Sequence, residues 1–508
     1  MNRKLTVIAR VCALVVGTTS IGLSGVANAQ SSNQDIKQQI DVLQNQVQAL
    51  KSRLDNAPAA AGGHEYIERK PGDGITFQTR GGEVTFYGNL DVSLDSTNKG
   101  IGNMVVAPGL ANAGDTPVGN SGAMAAISTN LSYVGLRGMQ SLGNYPANFV
   151  WQLETQIDIS ATSGTTNTNS NTSDLVKGGL TSRNSFIGLA SSSWGAFKIG
   201  KTDAPYKTST TNMNPFSGML GDYSVIMGNT GGDNRVEFGT RLDHALWYES
   251  PNMGGFTVNA LVAPGQNRAT DNSNIASGSS DCTGGNIPSS GAPAVISCAD
   301  GSFGNAYSIN AAYRTGGLYV TAAYELHQQV NRVSDNSDAN DIGDETAAKI
   351  GAQYRFASTR TTVSGIYEVM NRNVPDSLVY YNERSRSGTW LAISQELGAK
   401  DSLHFGWAHA NQTPGDPGVH NTVGPTANQD NSADMYTLAW KHQVDKNFNY
   451  YATYAVTANG PAAHYDLGAG GRAVTTDCHD AAGAADGTGH CYAGGQVQGV
   501  SMGMKYMF

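Results

Sequence analysis

Charge is scarce in this chain: Asp, Glu, Lys and Arg make up 14% of its 508 residues, against about 25% in typical soluble domains. Long hydrophobic runs are missing as well. Beyond the N-terminus no stretch approaches the ~20 apolar residues of a membrane-spanning helix. A membrane could then be crossed only by a closed barrel, the other structure that satisfies every backbone group in lipid. Cations are outnumbered, 32 Lys and Arg against 41 Asp and Glu for a formal charge of −9, which removes the basic surface that grips nucleic acid. The ten His residues are scattered with no nucleophile motif beside them, so no Ser/His/carboxylate enzyme is expected. What is abundant is Gly (62) and Tyr (22), with many Asn, Ser and Thr. That mixture suits a barrel with a neutral lipid face and a wet interior.

Arg3, Lys4 and Arg10 flank a short apolar core that starts at Val11, and Ala27-Asn28-Ala29 is a small-x-small cleavage site. Residues 1–29 therefore read as a secretory signal. Its loss removes three cations and no acid, taking the formal charge from −9 to −12. Cys12 leaves with it. The four cysteines that remain form two local pairs with 15 and 12 residues between partners. In an exported protein these read as the disulfides Cys282–Cys298 and Cys478–Cys491, each stapling a loop. Cys478-His479 and His490-Cys491 form a rival, mirror-image zinc set, but the spacing fits no standard finger. Neither a metal nor a cofactor is expected.

Residues 30–57 carry a heptad seam: Ile36, Ile40, Leu43, Val47, Leu50 and Leu54 are spaced 4, 3, 4, 3 and 4 apart. So short a helix is marginal alone, and its apolar stripe predicts a self-associating coiled coil. A small-residue linker covers 58–82, with one short extra strand at Ile75-Thr76-Phe77-Gln78. From Glu83 onward, segments of period-two alternation recur. They span 83–95, 123–138, 146–159, 181–190, 195–201, 241–250, 255–264, 304–315, 318–330, 344–356, 361–373, 386–397, 402–413, 432–444, 448–458 and 496–508. The connections alternate between short ones with turn chemistry, such as Gly316-Gly317, and long ones. Sixteen strands, short turns at one rim and long loops at the other describe an all-β, antiparallel transmembrane β-barrel over 83–508, with the coiled coil added in front.

The last segment alternates to its final residue: Val500, Met502, Met504, Tyr506 and Phe508 on one face, Ser501 and Lys505 on the other. A terminal aromatic with another two residues earlier resembles the closing strand of bacterial outer-membrane barrels, where Tyr506 and Phe508 would be the tag read by the barrel assembly machinery. Further motifs agree. Phe86-Tyr87-Gly88-Asn89-Leu90-Asp91, Ser132-Tyr133-Val134-Gly135-Leu136-Arg137-Gly138, Phe149-Val150-Trp151-Gln152-Leu153-Glu154, Arg183-Asn184-Ser185-Phe186-Ile187-Gly188-Leu189, Trp194-Gly195-Ala196-Phe197-Lys198-Ile199-Gly200-Lys201 and Tyr248-Glu249-Ser250-Pro251-Asn252 resemble, in order, motifs of the general Gram-negative trimeric porins.

That resemblance implies a homotrimer in the Gram-negative outer membrane, surrounded by lipid, with the coiled coil in the periplasm. It implies a channel through which small hydrophilic solutes and ions diffuse passively. The alternative is a substrate-specific channel for small organic acids such as dicarboxylates, since some dicarboxylate-type porins also carry an N-terminal coiled coil. The resemblance also implies that a loop at about 202–240 folds into the lumen and makes a constriction. Its lining candidates are Asp203, Asp222, Asp233, Arg235 and Glu237, facing Arg137, Arg183 and Asp243 on the wall. Arg137 and Arg183 are read as inward because Leu136 and Phe186 beside them are read as lipid-facing. Tyr133 stands where the family has Arg, which thins the basic wall and, with the acidic total, predicts weak cation preference.

Two local patterns need separate readings. Gly195-Ala196-Phe197-Lys198-Ile199-Gly200-Lys201-Thr202 matches the phosphate-loop formula, but that loop requires a following helix, and Asp203-Ala204-Pro205 announces none. Asp335, Asp338, Asp341, Asp344 and Glu345 cluster in one loop without EF-hand spacing, so a solvated acidic loop is expected.

Overall fold

The structure is a computed structural model. It describes residues 66, 72, 74–98, 105–106, 123–157, 159–160, 183–228, 238, 241–264, 305–328, 344–373, 385–414, 430–461, 463, 465, 467 and 492–508. The chain divides into Met1–Ala60 and Ala61–Phe508, and every described residue belongs to the second unit. The signal segment, the coiled-coil seam from Ile36 to Leu54, the cysteines Cys282, Cys298, Cys478 and Cys491, the lining candidates Asp233, Arg235 and Glu237, and Asp335, Asp338 and Asp341 lie outside the described residues.

In chain order the strands are β1 (Ile75–Thr79), β2 (Gly82–Thr97), β3 (Val105–Val106), β4 (Met124–Thr129), β5 (Tyr133–Ser141), β6 (Asn148–Gln156), β7 (Ser185–Ser191), β8 (Gly195–Asp203), β9 (Arg241–Glu249) and β10 (Phe256–Ala263). They continue as β11 (Ala306–Thr315), β12 (Leu318–His327), β13 (Glu345–Phe356), β14 (Thr361–Arg372), β15 (Arg386–Glu396), β16 (Asp401–Ala410), β17 (Ala433–Gln443), β18 (Phe448–Asn459), β19 (Tyr492–Ala493) and β20 (Gln496–Met507). β3 and β19 pair in a small ribbon of their own. From β5 to β18 each strand pairs antiparallel with the next, and β20 joins β18 to β2. β2 pairs with β4 along its second half and with β5 along its first. β4 and β5 thus fill one staved position, and the closed barrel has sixteen positions, as the alternation predicted.

No helix among the described residues is long and apolar enough to cross a membrane; most of the strands are long enough, since a tilted crossing needs about 9–11 residues. Their alternation sets the two faces. On β20, Met502 and Met504 are 68% and 59% exposed while Ser501 just before them is buried. Tyr307, Ile309 and Tyr313 of β11, Ile350 and Tyr354 of β13, and Leu391 and Ile393 of β15 stand out in the same way. An outer surface of Tyr, Leu, Ile and Met is stable only against an apolar medium.

The barrel closes at its C-terminus. Asn89 pairs with Met507, Gly88 and Phe508 exchange two backbone hydrogen bonds of 2.8 and 3.1 Å, and the Phe508 ring lies 5.3 Å from that of Phe86. Gly88 makes room for it: a Cβ there would meet the ring at 2.5 Å. β1 then takes up the edge of β2 where β20 ends, with Ile75 opposite Phe86. The segment expected as one strand over 123–138 is instead interrupted at Asn130–Ser132, where Leu131 has φ 45°.

Candidate functional site

After β8 the described residues 204–228 leave the wall and run inside the barrel. Its first turn is a helix, α1 (Pro205–Thr211), with Pro at its start and no side-chain cap at Ala204. This corrects the expectation that no helix follows the phosphate-loop-like motif. Pro–Tyr–Lys–Thr–Ser–Thr–Thr has weak helical propensity, and packing supplies what propensity lacks. The Tyr206 amide donates to Ser308 Oγ (2.9 Å), Asn310 Nδ2 donates to the Pro205 carbonyl (2.7 Å), Tyr319 Oη to the Ser209 carbonyl (2.7 Å) and Lys349 Nζ to Thr210 Oγ1 (3.0 Å). These wall residues alternate with the exposed Tyr307, Ile309, Val320 and Ile350, so they face the lumen.

Farther along, the segment stays against the wall. Glu368 receives the Tyr206 hydroxyl (2.9 Å) and the Gly228 amide (2.6 Å), and Arg386 stands 3.6 Å from Glu368 while donating to the Ile226 carbonyl. Burial and Glu368 raise the Tyr206 pKa well above the usual phenol value, which keeps its hydroxyl a donor. Thr437 Oγ1 donates to the Gly221 carbonyl (2.8 Å) and Lys441 Nζ to the Pro215 carbonyl (2.5 Å). Apolar packing completes the seat: Met213, Phe216, Ile226 and Met227 bury against Ile366, Trp390, Ala408 and Met435. Each side chain of this size removed from water stabilises by roughly 1.5–3 kcal/mol. Wall glycines provide the sockets. A Cβ on Gly406 would lie 2.6 Å from the Phe216 ring, one on Gly351 3.0 Å from Met213 Sδ, and one on Gly388 3.0 Å from Met227 Sδ. Residues after β18 join the same seat: Tyr465 is buried with this cluster, and the Leu467 carbonyl accepts from the Gly221 amide at 2.9 Å. Nothing in the sequence pattern announced that contact.

Asp222 organises the tip of the segment. Its carboxylate accepts from Asn214 Nδ2 (2.8 Å), the Gly218 amide (2.8 Å) and the Ser224 amide (3.0 Å), and it starts the short 3-10 turn Tyr223–Val225. Burial raises the Tyr223 pKa too, so its hydroxyl is protonated beside Thr210 Oγ1 (3.0 Å).

The wall formed by β2 and β5–β9 is lined differently. The Arg137 guanidinium lies 4.8 Å from the Tyr87 ring centroid and Arg183 4.8 Å from that of Tyr133. Tyr133, the residue that replaces the family's Arg, thus becomes the platform for another. Arg183 also pairs with Glu154 (2.5 Å), which accepts from Tyr87 Oη (3.0 Å). Asp203 is held by Arg241 (3.0 Å) and Lys207 (2.9 Å), and Asp243 pairs with Lys201 (2.9 Å). Arg183 and Asp203 are therefore neighbours, joined through Asn184 and Arg241, whereas Asp222 belongs to the loop tip. Phe186 corrects the sequence reading: it is buried, edge-on to Trp247 at 5.4 Å and beneath Lys198 Nζ at 4.7 Å, while Ile187 and Leu189 are the exposed residues of β7. Arg183 precedes the strand, so the alternation does not reach it. The two lysines of the phosphate-loop-like motif are engaged with Glu249 (2.7 Å) and Asp243 on an extended segment, which leaves no phosphate cradle.

The lumen thus holds an in-folded segment fixed to one wall and a charged, aromatic wall beyond it, an arrangement that narrows a passage. A model of the Gram-negative porin family matches residues 13–461. No curated protein matches the chain in sequence. Among solved structures the chain is similar to the anion-selective porin from Comamonas acidovorans, at 19% identity over 84% of this chain and 100% of that one, with a TM-score of 0.55. It is also similar to OmpF of Salmonella typhi in complex with daunomycin, at 15% identity over 85% of this chain and 100% of that one, with a TM-score of 0.51. At such identities the likeness is one of fold.

Proposed function

The chain belongs to the Gram-negative porin family, an outer-membrane porin channel rather than an enzyme, and from that premise we propose that it passes small hydrophilic solutes and ions chiefly by size, working as a homotrimer. The observation that carries the reading is the placement of Pro205–Gly228 inside a closed barrel, against the inner faces of β11–β18. A narrow passage between low-dielectric walls selects by width and by the sign of its charges. Here many wall cations stand beside acids: Arg183 with Glu154, Lys198 with Glu249, Lys201 with Asp243 and Arg241 with Asp203. Paired charges leave a weak net field, and the acidic total gives it a slight cation preference.

In this reading Arg137, Arg183, Asp203 and Asp243 line the passage, and Asp222 shapes the loop that bounds it. Tyr506 and Phe508 form the tag for the assembly machinery, the Ile36–Leu54 seam a periplasmic coiled coil, and Cys282–Cys298 and Cys478–Cys491 external staples. The trimer contact is assigned to the closure seam. There Leu94, Ile127, Met502 and Met504 stand exposed, an aliphatic patch beside the Tyr-rich outer face of β11–β18. No observation among the described residues favours a dicarboxylate-specific pore.

Single-channel recording of the purified protein tests the whole reading. Three coupled conductance steps and a small cation-side reversal potential in a salt gradient are expected. Absence of conductance overturns the open channel, and strong selectivity of either sign overturns passage chiefly by size.

A further inference from the structure

We propose that Leu131 is the latch that holds the tip of the in-folded loop in place and so fixes the open width of the channel; the inference rests on the channel reading above. Leu131 sits in the break between β4 and β5 with φ 45°, a left-handed conformation that costs a non-glycine residue free energy. It is an apolar side chain 41% exposed on the lumen side of a wall whose neighbouring groups are polar. Such a residue persists only where its surroundings over-determine it, and here they do. The Asn130 amide donates to the Asp91 carbonyl (2.8 Å), Asn89 Nδ2 to the Leu131 carbonyl (3.0 Å), and the Asp91 amide to Ser132 Oγ (2.8 Å). Asn130 Nδ2 donates to Ser93 Oγ and to Tyr451 Oη, both at 2.9 Å, and Tyr451 donates in turn to Asp91 Oδ1 (2.7 Å).

The side chain thus presented rests on the loop tip at Gly218. A Cβ on Gly218 would lie 2.8 Å from Leu131 Cδ1 and 2.9 Å from its Cγ, so the two surfaces meet with no room between them. Gly218 is itself held rigid, its amide bound to Asp222, with φ 75°. Hydrogen bonds fasten the loop to β11–β15 and β17. Leu131 reaches its tip from across the closure seam, from the strand beyond β2. Two stiff elements in apolar contact give a defined distance between wall and loop, where long charged side chains would give a compliant one.

The test uses the full-length protein in planar bilayers with Leu131→Ala, Leu131→Gly and the conservative Leu131→Met. Loss of a leucine-sized contact raises the population of displaced-tip states by roughly tenfold, read as brief subconductance events and as closure at lower voltage. Leu131→Gly also relieves the backbone strain, so its barrel should resist heat at least as well as the parent while its channel becomes noisier. A purely structural role would move stability and noise together. Leu131→Met should restore quiet channels. Alanine and glycine variants that conduct with parental noise and closure voltage overturn the latch; a parent protein that does not conduct overturns the channel reading instead.

Discussion

Two walls of the same barrel share an apolar outer face yet have different interiors. From β14 to β17 the inward residues include Ile366, Trp390, Ala392, Ala408 and Met435, all buried beneath the in-folded loop. From β2 to β8 they include Tyr87, Arg137, Glu154 and Lys198, arranged as cation–aromatic and ion pairs. Lipid imposes the same apolar demand on both outer faces. Inside, the deciding factor is what covers the wall. The covered wall packs Ala, Gly and Trp against the loop and anchors it with a few buried charges such as Glu368 and Arg386; the opposite wall binds its charges to aromatic rings and to one another.

The sharpest way to break this contrast is Glu368→Ala on the covered wall. It removes the acceptor of Tyr206 and Gly228 and the carboxylate beside buried Arg386. Stripping a buried charge of its partner costs about 3–5 kcal/mol, so the temperature at which the folded barrel loses its compact electrophoretic mobility should fall clearly. An unchanged transition would mean that the loop is not seated there. Gly406→Leu should act less strongly, at about 1–3 kcal/mol of overpacking. It should evict Phe216 from its socket and change the single-channel current; a parental current would show that the socket is dispensable. Arg137→Gln on the uncovered wall is the mildest. Its exposed-type cation–π contact is worth about 0.5–1 kcal/mol, so stability should barely move. The reversal potential should shift toward cations, and a thermal loss as large as that of Glu368→Ala would erase the distinction between the walls.

Much of the scaffold was legible because lipid enforces alternation strand by strand. All sixteen predicted segments have counterparts, most within two or three residues at either end. The exceptions have identifiable causes. The break at Asn130–Ser132 contains no Gly or Pro, and the Asn89 and Tyr451 side chains and the Asp91 backbone amide hold it. α1 is one short polar turn whose stability comes from Ser308, Asn310 and Tyr319 on other strands. Phe186 was read as lipid-facing, yet it packs with Trp247 and Lys198 on the inner face and is buried. Of the lining candidates, Arg137 and Arg183 were read as inward by alternation, an argument that does not reach Arg183 because it precedes β7; their aromatic platforms Tyr87 and Tyr133 were not legible.

By itself the sequence determined the barrel, its strand number, its lipid face and the closing role of Phe508, because each follows from a period-two pattern confined to one strand or one hairpin. Only the tertiary structure decided which wall the loop covers, which charges are paired and where the loop tip rests. Those outcomes depend on partners such as Tyr206 and Glu368, 162 residues apart, or Lys441 and Pro215, 226 apart, and no local periodicity encodes which distant residue will cover a given patch of wall.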